Sequence, residues 1–139
     1  MTTLLTTYLG RFATGLTLGA GSGALFLGVG GRVVMHVFAL ATARAGSFTL
    51  TASLNVVFAG AIAGAVGVLF FAVIERFMPQ RLWLRGVLFA ALCYLIATPG
   101  FRPPQPLVFA LFALPFLGYG GVVVLAWERV VRSRRLTSA

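Results

Sequence analysis

The stretch GLTLGAGSGALFLGVGGRVVMHVFAL, residues 15–40, decides the fold because it is almost continuously apolar and contains only two ionisable side chains, Arg32 and His36. Twenty uncharged residues, 12–31, separate Arg11 from Arg32. At about 1.5 Å per residue they form a helix of roughly 30 Å, which matches the hydrocarbon core of a bilayer. The stretch therefore predicts a first membrane-spanning helix that ends near Arg32.

The composition of the rest of the chain agrees with this prediction. Of the 139 residues, 60% are hydrophobic and 9% are charged, whereas soluble domains carry about 25% charged residues. Apolar runs bounded by charges, prolines or glycines predict an all-α integral membrane four-helix bundle in a single transmembrane domain, residues 1–139. Its predicted spans are residues 12–31, 52–74, 82–98 and 107–127, followed by a basic cytoplasmic tail, residues 128–139.

The position of Arg32 predicts a further element after the first span. An arginine at the bilayer centre costs about 2.5 to 3.5 kcal/mol on the insertion scale, so a boundary at Gly30 and Gly31 is favoured. Residues 33–44 would then form a short interfacial helix on the outer side, with Arg32 and His36 on one face at four-residue spacing.

The arginines also predict the orientation. In a four-span arrangement, cytoplasmic positions hold eight of the eleven basic residues, all of which are arginine, against Arg32, Arg44 and Arg102 outside. The excess of positive charge predicts that both termini are cytoplasmic, in the cytoplasmic (inner) membrane of a bacterium. Trp83 and Trp127 would then both lie at the cytoplasmic interface, where indole rings are favoured.

Small residues recur at four-residue spacing on the first two spans. Such rows allow helix backbones to approach closely, which replaces the hydrophobic drive that lipid does not supply. They predict helix packing, either within the chain or between subunits, through Gly15, Gly19, Gly23, Gly60 and Gly64.

The sequence offers little catalytic chemistry. It has neither aspartate nor lysine, and its only acids, Glu75 and Glu128, lie at predicted cytoplasmic helix ends, where Glu128 is expected to pair with Arg132. Cys93 is the single cysteine, and no cluster of His, Cys, Asp or Glu has metal-ligand spacing. We therefore expect no enzyme, no catalytic residue, no metal and no bound cofactor. The isolated arginines fit lipid headgroups better than nucleic acid.

The outer side carries the most informative polar residues. No carboxylate is available there, so these residues need lipid phosphate, a small anion or an acidic partner. The predicted contacts are Arg32, His36, Arg44, Arg102 and Asn55. His36 is expected to be an interfacial hydrogen-bonding residue, with a porphyrin-type metal or a quinone as the alternative.

Aromatic residues on the later spans leave two alternatives open. The stripe of Phe109, Phe112 and Phe116 predicts contact with lipid or a neighbouring helix, with a pigment or quinone contact as the alternative. The hydroxyls of Tyr94 and Tyr119 need partners inside the membrane and are expected to bond each other or a backbone carbonyl.

Two resemblances accompany these patterns. The run GGRVVMHVFAL, residues 30–40, followed by a glycine- and alanine-rich span that ends in ERFMP, resembles small four-span membrane proteins of GC-rich bacteria with no assigned function. The glycine-rich first span with Arg32, followed by Asn55, is similar to the small four-span fluoride channels. The chain departs from that family in GVLFAALCYLIATPGF, residues 86–101, which lacks the family's threonine, serine and phenylalanine break.

The sequence thus favours a non-catalytic accessory or assembly subunit of a larger bacterial membrane complex, energy-converting complexes included. Its expected partners are membrane lipids and either other membrane subunits or a second copy of itself. The alternatives are a homo-oligomeric channel or transporter for an anion or neutral solute, lined by Arg32, His36 and Asn55, and a lipid or quinone binder.

Overall fold

The computed structural model describes the backbone of residues 2–43, 49–101 and 104–137, and the side chains of residue 10 and of residues 12–43, 49–101 and 104–130. Within these residues, every regular element is helical. Four helical stretches are long and apolar enough to cross a membrane, namely Phe12–Ala41, Leu50–Phe77, Leu82–Gly100 and Pro106–Val130. The predicted fold class, an all-α protein with four such helices, is confirmed at this level.

The first of these stretches is longer than the sequence predicts. Helix α1 (Thr2–Ser22) passes without a break into a π-helical segment (Gly23–Val29) and then into α2 (Gly30–Ala41). The amide of Gly30 donates to the carbonyl of Leu25, five residues back, which is the π-helical register. Helix α2 ends where Ala43 adopts a left-handed φ of 51°.

The separate interfacial helix predicted for residues 33–44 is therefore not seen, since residues 33–41 continue the first helix. The physical reason lies at Gly30, which keeps helical dihedral angles, φ −57° and ψ −44°. A glycine inside apolar surroundings gains by staying in the helix, because a break would leave backbone groups without hydrogen bonds. Residue 44 lies outside the described residues.

Three more helices complete the described chain. Helix α3 (Leu50–Ile74) ends in a 3₁₀ turn, Glu75–Phe77, and α4 (Leu82–Ala97) ends in a second one, Thr98–Gly100. Helix α5 (Pro106–Thr137) has proline at its first position, where no amide donor is needed, and it continues through Pro115. It also continues through most of the predicted tail, residues 128–139.

The helices pack in two pairs that share a core. The π-helical segment and α1 pack along α3, while α4 packs along α5, and α1 and α2 join the two pairs through contacts with α5. Buried side chains of α3, α4 and α5 fill the centre: Val68, Phe71, Phe89, Tyr119, Val123 and Val124. The rings of Phe71 and Phe89 meet edge to face with their centroids 4.9 Å apart, and this contact ties α3 to α4.

Candidate functional site

The glycine rows predicted from the sequence face each other within the chain. A Cβ atom built on Gly19 would lie 2.7 Å from the carbonyl oxygen of Gly64, and one built on Gly23 would lie 2.5 Å from the Cα of Gly64. On Gly60, it would lie 2.5 Å from the amide nitrogen of Gly28. No side chain fits at these separations, so the two backbones are in direct contact along a line that we call the glycine seam (Gly19, Gly23, Gly28, Gly60 and Gly64).

Gly15, the fifth predicted packing glycine, contacts side chains rather than backbone. A Cβ there would lie 3.2 Å from Cζ3 of Trp127 and 3.4 Å from Cγ1 of Val68. Trp127 is thus packed inside the bundle, with its ring 6.0 Å from that of Phe71. Trp83, by contrast, is 66% exposed. Of the two tryptophans expected at the interface, only Trp83 presents most of its ring to the surroundings.

Tyr94 and Tyr119 both donate hydrogen bonds to backbone carbonyls and not to each other. This is the second of the two arrangements expected from the sequence. Tyr119, which is 1% exposed, donates to the carbonyl oxygen of Gly64 at 2.6 Å. Tyr94 donates to the carbonyl of Phe109 at 2.8 Å. Gly67 makes room for Tyr119, since a Cβ on Gly67 would lie 3.2 Å from Cζ of the tyrosine ring. The Tyr119 bond therefore fastens α5 to the glycine seam.

An ion pair joins α4 to α5. Nη1 of Arg85 lies 2.7 Å from Oε1 of Glu128, and the two side chains are 14% and 26% exposed. Nε of Arg85 also donates to the carbonyl of Pro79 at 3.3 Å. The sequence suggested Arg132 as the partner of Glu128, but that side chain lies outside the described residues. Sequence reasoning missed Arg85, although an arginine one turn inside a span, on the same side as Glu128, was the available signal.

The predicted outer contact residues lie in different environments. Arg32 is half-buried, and its Nε and one of its Nη atoms have almost no accessible surface. His36 and Asn55 are exposed. Gly31, next to Arg32, faces α5, because a Cβ there would lie 3.7 Å from the ring of Phe112. Arg44 and Arg102 lie outside the described residues.

The contacts between helices give the heights of Arg32 and Leu40 above the level of the Arg85 and Glu128 ion pair. Gly15 contacts Trp127, the neighbour of Glu128, so Gly15 marks the level of the ion pair. At about 1.5 Å per residue, Arg32 lies roughly 25 Å above this level and Leu40 roughly 37 Å above it.

Helix α2 extends beyond the start of its neighbour α3. Because Gly28 contacts Val57 and the two helices run antiparallel, the first residue of α3, Leu50, is level with Met35. The part of α2 after Met35 therefore rises roughly 9 Å above the start of α3. Its apolar side chains are exposed, Val37 by 43% and Leu40 by 70%.

The predicted phenylalanine stripe is gathered around Phe101, which follows α4. The ring of Phe101 stacks on Phe112 with a centroid distance of 4.7 Å, and lies 5.8 Å from Phe109 and 6.2 Å from Phe116. Tyr94 adds an edge-to-face contact with Phe116 at 5.7 Å. The stripe thus belongs to an aromatic cluster at the end of the α4 and α5 pair that is remote from the Arg85 and Glu128 ion pair, and sequence reasoning missed its central member.

A groove between α3 and α4 is lined by side chains of all four membrane-length helices. This α3–α4 groove has a volume of about 420 Å³. Its lining includes Leu27, Val66, Phe70, Cys93, Ile96, Phe116 and Tyr119. Cys93 is a free, half-buried thiol. Among the described residues no group of three His, Cys, Asp or Glu side chains could hold a metal ion. The groove therefore suits a hydrocarbon chain or ring.

Comparison of the chain with protein-family models, with curated protein sequences and with solved structures finds no match.

Proposed function

We propose that the chain is a non-catalytic accessory or assembly subunit of a larger membrane complex in the cytoplasmic membrane of a bacterium, with both of its termini in the cytoplasm. Energy-converting complexes are the first class in which to look for it. The observation that carries this proposal is the open apolar end of α2, residues 35–41, which we call the outer end of α2.

The outer limit of the hydrocarbon core determines which side chains of α2 lie beyond it. The Arg85 and Glu128 pair and the exposed Arg129 mark a charged level that belongs at the cytoplasmic boundary. A core of roughly 30 Å above that level ends near Met35. Val37 and Leu40 then lie among lipid headgroups or water, where exposed branched side chains are unfavourable. A neighbouring protein subunit that covers them removes this cost.

The polar residues at the same height support a protein partner. Arg32 lies just inside the outer boundary and His36 just outside it on this scale, and both can reach headgroup depth. The sequence has carboxylates only at positions 75 and 128, on the opposite side. We propose that acidic side chains of a partner, or lipid phosphates, contact Arg44 and Arg102, and that the accessible part of the half-buried Arg32 lies at the same contact.

The test is native mass spectrometry of the tagged protein, extracted from its own host in a mild detergent. The expected result is recovery with other membrane subunits at a defined stoichiometry. Leu40→Arg should abolish this recovery. Ile62→Val, at an exposed control position on α3, should leave it unchanged. Recovery of the wild-type chain alone, or only as a homo-oligomer, would contradict the proposal.

A second candidate function is supported by the α3–α4 groove. Its volume of about 420 Å³ and its lining by Phe116, Tyr119 and Cys93 fit a lipid chain or a quinone. The test is identification of small molecules extracted with the purified protein. Loss of such a molecule in Ala63→Leu, which places a larger side chain in the groove lining, would support this function.

If the chain forms a channel or transporter for an anion or a neutral solute, the solute must pass outside the centre of the bundle. Phe71, Phe89 and Tyr119 fill that centre and are at most 1% exposed, and Asn55 and His36 are exposed on the outside of the described chain. A conducting path lined by Arg32, His36 and Asn55 would therefore run between subunits. Anion flux in liposomes that disappears in Arg32→Ala would support it.

A further inference from the structure

Two shallow grooves flank helix α5 in its cytoplasmic half, on a different part of the surface from the α3–α4 groove. The α4–α5 groove has a volume of about 500 Å³ and is lined by Trp83, Gly86, Val87, Leu117, Gly121 and Leu125 among others. The α1–α5 groove has a volume of about 410 Å³ and is lined by Leu18, Val122, Leu125, Ala126, Arg129 and Val130. Leu125 lines both grooves and forms the ridge between them.

The two grooves are alike in length and direction. On α5, one runs from Leu117 to Leu125 and the other from Val122 to Val130, so each follows the helix for roughly 12 Å. Both reach the level of the Arg85 and Glu128 ion pair and extend from there into the region of the hydrocarbon core. Apart from Arg129 and the indole nitrogen of Trp83, the side chains that line them are apolar.

Arg129 gives the pair of grooves a charged mouth. Its side chain is exposed and lines the α1–α5 groove. The neighbouring carboxylate, Glu128, is held by Arg85, and Arg129 makes no ion pair with any carboxylate in the described part of the chain. At the mouth of the other groove stands Trp83, 66% exposed, and indole rings favour the headgroup level. The mouth is therefore cationic and amphipathic, and the interior is apolar.

From this arrangement we infer that the cytoplasmic half of α5 binds one anionic phospholipid. The two acyl chains lie in the two grooves on either side of Leu125, and the phosphate group lies against the guanidinium group of Arg129. Charge complementarity selects the occupant: Arg129, which forms no ion pair within the described residues, attracts an anionic headgroup at headgroup depth. A guanidinium group can hold two phosphate oxygens at once. The inference does not depend on the accessory role proposed above.

Gly121 is the residue that keeps the first groove open. A Cβ built on it would meet no heavy atom within 4 Å, so the space above it belongs to the groove and not to a neighbouring helix. A leucine there would occupy the room of an acyl chain without clashing with the protein. Gly21 on α1 is equally open and lines neither groove, which makes it a matched control.

The test is native mass spectrometry of the delipidated full-length protein with equal amounts of phosphatidylglycerol and phosphatidylcholine that carry the same acyl chains. We expect one phosphatidylglycerol to be retained per chain in preference to phosphatidylcholine. In Arg129→Gln the preference should fall about fivefold, which is the contribution of one arginine near an anionic headgroup. Arg76→Gln, at another exposed arginine, should leave the preference unchanged.

Binding of the acyl chains in the grooves is tested separately from headgroup selection by Arg129. Gly121→Leu should weaken retention of both phospholipids, whereas Gly21→Leu should not. Equal retention of the two phospholipids by the wild-type chain, or equal effects of the Arg129 and Arg76 variants, would overturn the inference. So would equal effects of the two glycine variants, or a dimer of this chain that forms through the same face and excludes lipid.

Discussion

The hydroxyl group of Tyr119 makes a hydrogen bond that connects three helices. It donates to the carbonyl of Gly64, which lies in the seam where α3 meets α1. Since the tyrosine is almost fully buried, neither water nor lipid headgroups can replace this bond. The bond couples the position of α5 to the contact between α1 and α3.

Replacement of Tyr119 by phenylalanine should lower the free energy of unfolding by about 0.5 to 2 kcal/mol, the range measured for hydrogen bonds between membrane helices. Unfolding of the purified protein by SDS in mixed micelles measures this change. Thr17→Val is the control, because the exposed Thr17 hydroxyl bonds only within its own helix. An equal effect of the two substitutions would show that the Tyr119 bond adds nothing beyond a local contact.

The ion pair of Arg85 and Glu128 has a comparable role, because it connects α4 to α5. Arg85→Gln should lower the free energy of unfolding by about 1 to 2 kcal/mol, since a charge-assisted hydrogen bond between partly buried groups is lost. In a double-mutant cycle with Glu128→Gln, the coupling energy should be about 1 kcal/mol. Arg81→Gln, at an exposed arginine, serves as the control. Additive effects of Arg85→Gln and Glu128→Gln would contradict a direct interaction.

At the scale of whole helices, the glycine seam determines how closely α1 and α3 can approach. The seam could be predicted from the four-residue spacing of glycines on two consecutive spans. The spacing favours packing within the chain without excluding contacts between subunits, because identical rows also serve such contacts; the structure shows contacts within the chain.

The double substitution Gly19→Leu with Gly64→Leu should prevent the bundle from forming, because each leucine meets backbone or Val68 at less than 3 Å. Each overpacked site costs about 1 to 3 kcal/mol even after relaxation. The expected result is loss of folded protein in SDS unfolding and reduced levels of the chain in the host membrane. Gly21→Leu, where a side chain meets open space, should behave like the wild type. Normal levels of the folded double variant would contradict the packing role.

The first helix shows where sequence reasoning at this scale stops. The paired glycines and Arg32 suggested a helix end, since glycine weakens helices and arginine avoids hydrocarbon. In the structure, the π-helical turn before Gly30 and the contact of Gly30 with Pro115 of α5, where a Cβ would lie 3.3 Å away, hold the helix together through this point. Such support comes from a helix that is distant in sequence, and it leaves no local pattern.

For the whole molecule, four apolar runs separated by charges and prolines were sufficient to predict four long helices and the approximate limits of α3 and α4. The links between helices were harder to predict: Glu128 had a plausible partner four residues away, but the structure pairs it with Arg85 on another helix. Phe101 lies after α4 in the sequence, yet it is central to the aromatic cluster with Phe112. Both links depend on which helices are neighbours, and composition does not contain that information.

We propose that the outer end of α2 contacts another protein, and site-specific photocrosslinking in host membranes can detect this contact. A photoreactive amino acid replaces Leu40, which is 70% exposed, or Ile62, which is 53% exposed on α3. We expect the probe at position 40 to form one defined crosslink to a different membrane protein and the probe at position 62 to react with lipid. Reaction of position 40 with lipid alone, or with a second copy of this chain, would contradict a contact with another protein.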